Sequence, residues 1–142
     1  MQDETLIVAA LQQGVTAAVE QSDTPALPVK YLLVTGSAWA GVPQDGKWIE
    51  LVWIPNNRQG DYWGDEQNYR GLFRLILHWP NTGGGVYDPL ETMASITRYF
   101  DKGLLLSGVQ ITAKPNLSNF IEDGDEVLFP VSISYQSYRK GA

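Results

Sequence analysis

The sequence predicts an α+β fold: a mostly antiparallel, or mixed, sheet of four to five strands with two helices packed on one face. Two observations carry this. Segments 4–21 and 89–102 repeat apolar residues at helical spacing, and other segments alternate with period two. Strands also follow one another in pairs, giving the order α-β-β-α-β-β with room for a further strand near residue 30. Strands adjacent in sequence favour antiparallel pairing with the helices to one side.

In 4–21, Leu6, Ile7, Ala10, Leu11, Val15, Ala18 and Val19 form one stripe, interrupted by Gly14. Pro25 and Pro28 end that helix. VKYLLV, from residue 29, fits a strand, and the following TGSAWAGVPQDG is loop-like. KWIELVWI, 47–54, is a strand apolar on nearly both faces, Glu50 excepted. That pattern suits a strand covered on both sides, or one whose outer face serves a partner. PNNRQGDYWGDEQN, 55–68, reads as a polar loop longer than most connections, which marks it as functional or mobile.

The clearest strand is 69–79. Tyr69, Gly71, Phe73, Leu75, Leu77 and Trp79 share one face. Arg70, Arg74 and His78 share the other with Leu72 and Ile76. Asp88 suits an N-cap, with Pro89 at the first helical position and Glu91 at capping-box spacing. Leu90, Met93, Ala94, Ile96, Thr97 and Phe100 then make a buried stripe, and Gly103 a stop. Strands follow at 108–114 and 126–137. Pro130 marks an edge or a bulge in the last of them, and Asp123-Gly124-Asp125 is the turn before it.

With 142 residues, the chain is the size of one domain. Its 44% hydrophobic content is enough for an ordinary core. A net charge of -6 argues against a protein that grips nucleic acid by its phosphates, and against docking on an anionic membrane. The absence of cysteine excludes disulfides and thiolate metal sites. With His78 the single histidine, any metal site would be mostly carboxylate. MQDETLIVAALQQG carries acids where a secretory signal carries positive charge, so neither a signal nor a membrane span is read, and the cytoplasm is the expected place of assembly.

Several motifs invite chemistry and do not support it. Gly83-Gly84-Gly85 lies between a strand and a helix, as in phosphate-binding loops. Yet no Lys-Ser or Lys-Thr follows, Pro89 removes an N–H donor, and Asp88 brings its own negative charge. A flexible connector is the better reading. Asp61, Asp65 and Glu66 could form a carboxylate pair for hydrolysis, but a solvated loop accounts for them equally well. Asp123 and Asp125 lack the remaining ligands of a calcium loop. His78, on the wetter face, is expected at the surface or an interface. The chain contains neither a G-x-S-x-G elbow nor H-E-x-x-H, so no catalytic residue and no cofactor is assigned.

Aromatic residues are more telling. Trp48, Trp53 and Trp79 fall on strands, in core or interface. Tyr62 and Trp63 fall in the polar loop. Exposed aromatics need cover, and Tyr, Trp and Arg favour interface centres. Arg58, Tyr62 and Trp63 are therefore candidates for partner contact, joined by Arg70, Arg74 and His78. The alternative is a loop folded back on its own domain.

ELVWIPNN, NYRGLFRLILHWP, the glycine turn into DPLETMASITRYFDKG, VQITAKP and DGDEVLFPVSISYQSY together resemble the phage tail terminator (tail completion) proteins. Ile54-Pro55-Asn56, Tyr69-Arg70-Gly71, Phe100 and Pro130-Val131-Ser132-Ile133-Ser134-Tyr135 carry the likeness in order, after a first helix followed by Ala26-Leu27-Pro28. It covers roughly residues 4–28 and 48–138; residues 29–46 are longer and more apolar than the pattern. The resemblance implies a non-enzymatic virion protein. It would form a ring, usually six-fold, on the head-proximal end of the tail tube, stop its polymerisation and meet the head–neck connector. Its partners would be further copies of itself, the tail tube protein, the connector and, in a contractile tail, the sheath. DNA would pass through the lumen without specific binding, and an acidic lining would keep the duplex sliding. Another neck or connector ring protein is the near alternative. More distant ones are a carbohydrate-binding module using Tyr62 and Trp63, and a small hydrolase using Asp61, Asp65 or Glu66.

Overall fold

The computed structural model describes residues 3–32, 39, 41–55, 59–60, 66–83 and 85–140; at residues 3–4, 59–60, 66–69 and 138–140 it describes the backbone alone. Helix α1 spans Asp3–Glu20. Strands β1 (Val29–Lys30), β2 (Trp48–Pro55), β3 (Gln59–Gly60) and β4 (Glu66–Pro80) follow, then helix α2 (Tyr87–Thr97). Strands β5 (Leu105–Leu106), β6 (Val109–Ile111), β7 (Asn116–Leu117), β8 (Ile121–Asp123) and β9 (Glu126–Lys140) complete the described chain.

One mixed sheet runs β1-β2-β4-β9-β6-β5, with β3 beside β4 and β7 and β8 beside β9. Only β1 and β2 are parallel; the other pairs are antiparallel. α+β is therefore the fold, but the sheet exceeds the expected four to five strands. The added strands are two or three residues long, too short to show any period in the sequence. They complete the outer side of β9 in pieces: β6 near Tyr135, β7 near Val131, β8 near Leu128.

The spine is the β4–β9 pair, in register from Glu66↔Lys140 to Pro80↔Glu126. On the other side of β4, β2 pairs from Trp48↔His78 to Pro55↔Gly71. Ile49, Leu51, Phe73, Leu75, Leu77, Phe129, Val131 and Ile133 are alternate residues of these strands, so they share one face, and all are buried. Helix α1 lays Ile7, Leu11, Val15 and Val19 on that face, and α2 adds Met93 and Ile96. Both helices thus pack on one side. Phe100, just past α2, meets Phe73 edge-on at 5.4 Å. Each fully buried side chain of this size contributes about 1.5–3 kcal/mol.

Three local expectations change. Helix α2 begins one residue before Asp88, its N-cap is Val86, and no side chain caps it. Asp88 instead places its charge in the first turn, beside the positive end of the helix dipole. Pro89 sits in the same turn, where an N–H would find no partner within the helix. The helix ends at Thr97, short of 102, and Ala94 of the expected stripe is exposed. Segment 55–68, read as all loop, contains β3 and the start of β4.

Pro130 lies inside a paired strand, not on an outer edge. Its carbonyl accepts from Ser118 N–H at 3.0 Å, on the side facing the gap between β7 and β8. The missing proline N–H points to that same side and away from β4, so no bond of the β4–β9 pairing is lost.

Candidate assembly surface

The second face of the sheet carries Trp48, Glu50, Val52 and Ile54 from β2, and Arg70, Leu72, Arg74, Ile76 and His78 from β4. Strand β9 adds Glu126, Leu128, Pro130, Ser132, Ser134 and Gln136. Neither described helix covers it. Many of its side chains are half-buried, as expected for a partly apolar sheet face on which the described residues lay no helix.

At one end, His78 stacks on its cross-strand neighbour Trp48, with centroids 3.7 Å apart and planes 8° from parallel. Trp39 tilts against Trp48 at 5.4 Å. The imidazole bridges two carboxylates: Nε2 lies 3.0 Å from Glu50 Oε1, and Nδ1 lies 3.2 Å from Glu126 Oε2. Both acids are diagonal neighbours, one strand to either side. A neutral imidazole can donate to only one of them; the doubly protonated ring donates to both. The cluster thereby ties β2, β4 and β9 together. The Trp48 indole N–H is buried and has no hydrogen-bond partner among the described residues.

At the other end, Arg74 Nε donates to Ser132 Oγ at 3.2 Å. A shallow cavity of about 430 Å³ opens between Ile54, Arg70, Leu72, Ser134 and Gln136. A second cavity of about 440 Å³ lies near the Pro80 end of β4, among Trp79, the Gly83 and Gly85 loop, the start of α2 and Phe120. Its floor includes Val86 and Phe129, its rim Asp88 and Glu122, and Lys47 Nζ sits 4.4 Å over the Trp79 ring.

Of the residues singled out in the sequence, Arg70, Arg74 and His78 share one face of β4. Spacings of four residues, about 13 Å, prevent them from forming one cluster. His78 is not at the surface: it is 6% exposed within its own chain, because Trp48 covers it. Arg58, Tyr62 and Trp63 lie outside the described residues, as do Asp61 and Asp65, while Glu66 is described by its backbone alone. Gly83 and Gly85 adopt φ of 75° and 86°, with open space around them, as a turn requires. Sequence reading missed the partners of His78, for Glu50 and Glu126 are 28 and 48 residues away from it. Among the described residues, no group of His, Asp and Glu is placed to hold a metal, and no helix is long and apolar enough to cross a membrane.

A family model described as phage tail terminator protein matches residues 6–135. The chain belongs to the phage tail terminator family. That span takes in both helices and nearly the whole sheet, so the family's role as a structural component of phage tails applies to the described fold. A solved protein structure shares the fold at a TM-score of 0.77, with 22% identity over 96% of each chain. No protein with a curated description matches. The motif pieces that carry the resemblance meet in three dimensions. Gly71 of the Tyr-Arg-Gly segment pairs with Tyr135 of the closing strand, and Pro55 of the first segment flanks Gly71 on its other side.

Proposed function

We propose that the chain forms a ring, six-fold as is usual in its family, on the head-proximal end of the phage tail tube. There it ends tube polymerisation and offers a surface to the head–neck connector. The observation that carries this is the family match over residues 6–135, one continuous span of the fold. The role is non-enzymatic and uses no cofactor. An open sheet face that mixes apolar residues with Arg70 and Arg74 has the composition of a subunit contact. With a net charge of -6, the protein suits a conduit in which duplex DNA slides without sticking. In a contractile tail the sheath is a further partner.

The test is electron microscopy of the purified protein mixed with its tail tube protein, with mass measured by light scattering in parallel. Rings capping one end of tubes of limited length are expected. Binding to the portal end of the neck instead would reassign the chain to a connector ring. A monodisperse monomer that ignores tubes of any length would remove the ring reading altogether.

A further inference from the structure

We propose that the β8–β9 hairpin tip of one copy, Phe120–Asp125, docks in the assembled protein onto the open sheet face of the next copy, with its acids on Arg74. This inference rests on the ring reading and names the contact that builds the ring.

Arg74 is the anchor on that face. It lies half-buried midway along β4, opposite Val52 on one side and Ser132 on the other. Leu72, Ile76 and Pro130 surround it on the same face. Its Nε donates to Ser132 Oγ, yet no carboxylate among the described residues pairs with its guanidinium. The acids that β2 and β9 bring to this face, Glu50 and Glu126, are turned to His78 instead. An arginine ringed by apolar side chains suits the centre of an interface, where a partner's carboxylate takes its terminal nitrogens.

The hairpin tip supplies such carboxylates. Glu122, Asp123 and Asp125 are exposed there, and none forms an ion pair with a described residue. Phe120 and Ile121 beside them are about half exposed, which leaves apolar surface in water next to the acids. The tip is braced. Asn81 N–H donates to the Asp125 carbonyl at 2.8 Å, and Asn81 Nδ2 donates to the Gly124 carbonyl at 3.3 Å. Docking a braced turn costs little further ordering.

Tip and anchor meet only between copies. Asp123 pairs with Glu126 and Arg74 with Ser132, six residues further along β9, so about 20 Å separates them within one chain. That is beyond the combined reach of an arginine and an aspartate. The two surfaces are complementary: a cation among apolar side chains faces acids beside apolar side chains. They are also different patches, so the contact is head-to-tail. Contacts of this kind close into rings when the rotation between copies allows it.

Two variants test the contact by sedimentation velocity or light scattering, each first checked for native circular dichroism. One reverses the anchor (Arg74→Glu) and the other the tip (Asp123→Lys with Asp125→Lys). Like charges then face each other in self-assembly, and each variant is expected to associate at least about tenfold more weakly than the wild type. An equimolar mixture restores opposite charges wherever the two alternate, and is expected to reassemble. Arg74→Gln removes the charge without reversing it; it replaces the glutamate variant if that chain does not fold, with the same loss expected. If assembly needs the tail tube, the same readings are made as tube capping. Folded variants that assemble like the wild type, or a mixture of folded charge-reversed variants that fails to recover, would overturn the docking while leaving the ring. A wild-type protein that forms no ring, free or on tubes, removes both.

Discussion

The indole Nε1 of Trp53 donates a hydrogen bond to the Tyr135 phenol oxygen, 2.8 Å away, across Gly71. Trp53 is on β2, Tyr135 on β9, and β4 runs between them; the two side chains meet because Gly71 leaves the space over β4 open. A Cβ at residue 71 would stand 2.8 Å from the Tyr135 oxygen and 2.9 Å from the backbone oxygen of Ile54. Three strands are thus locked by one absent side chain.

Replacing that glycine tests the lock. Gly71→Ala is expected to lower stability by about 1–3 kcal/mol, the usual cost of overpacking, because backbone is among the atoms it meets. Urea unfolding would read this as a lower midpoint at unchanged slope. An unchanged midpoint would show that β2 can shift away from β4 at little cost.

Tyr135→Phe removes the acceptor and leaves the half-buried Trp53 N–H unpaired, at a cost of about 1 kcal/mol near neutral pH. The pH dependence is separate. Burial raises the Tyr135 phenol above its ordinary 10.0, and the Trp53 hydrogen bond works the other way. The folded state therefore keeps this proton when the unfolded chain has begun to lose it. Its contribution is full below the ordinary value and is lost as pH rises toward the folded one. Unfolding midpoints from about pH 9 to 11 should fall for the wild type and fall less for Tyr135→Phe. Parallel curves would place the alkaline sensitivity elsewhere.

His78→Ala should destabilise by about 2 kcal/mol. It removes the stacking partner of Trp48 and the group that separates the carboxylates of Glu50 and Glu126. His78→Ala in a Glu50→Gln, Glu126→Gln background should cost less, since no facing charges remain. Equal losses in both backgrounds would assign the whole effect to packing on Trp48.

The glycine connector should be sensitive through backbone alone. Gly83→Ala and Gly85→Ala are each expected to cost about 1 kcal/mol, because their φ values favour glycine although nothing crowds them. Titration calorimetry with inorganic phosphate should give no binding heat. Saturable binding lost in either variant would revive the phosphate-loop reading.

What the sequence determined by itself was local. The stripe from Ile7 to Val19 and the alternation from Phe73 to Trp79 depend on how side chains leave a helix or a strand, which each residue sets with its neighbours. Family membership was legible for the same reason, since its motifs are short and ordered along the chain. Net charge likewise needed only composition, and it argued against gripping phosphate or an anionic membrane. The tertiary structure decided which strands adjoin. Only the pairing of β4 with both β2 and β9 brings Trp53 to Tyr135 over Gly71, and Glu50 and Glu126 to the two nitrogens of His78. These are contacts between residues tens of positions apart, and a period of two or 3.6 carries no information about them.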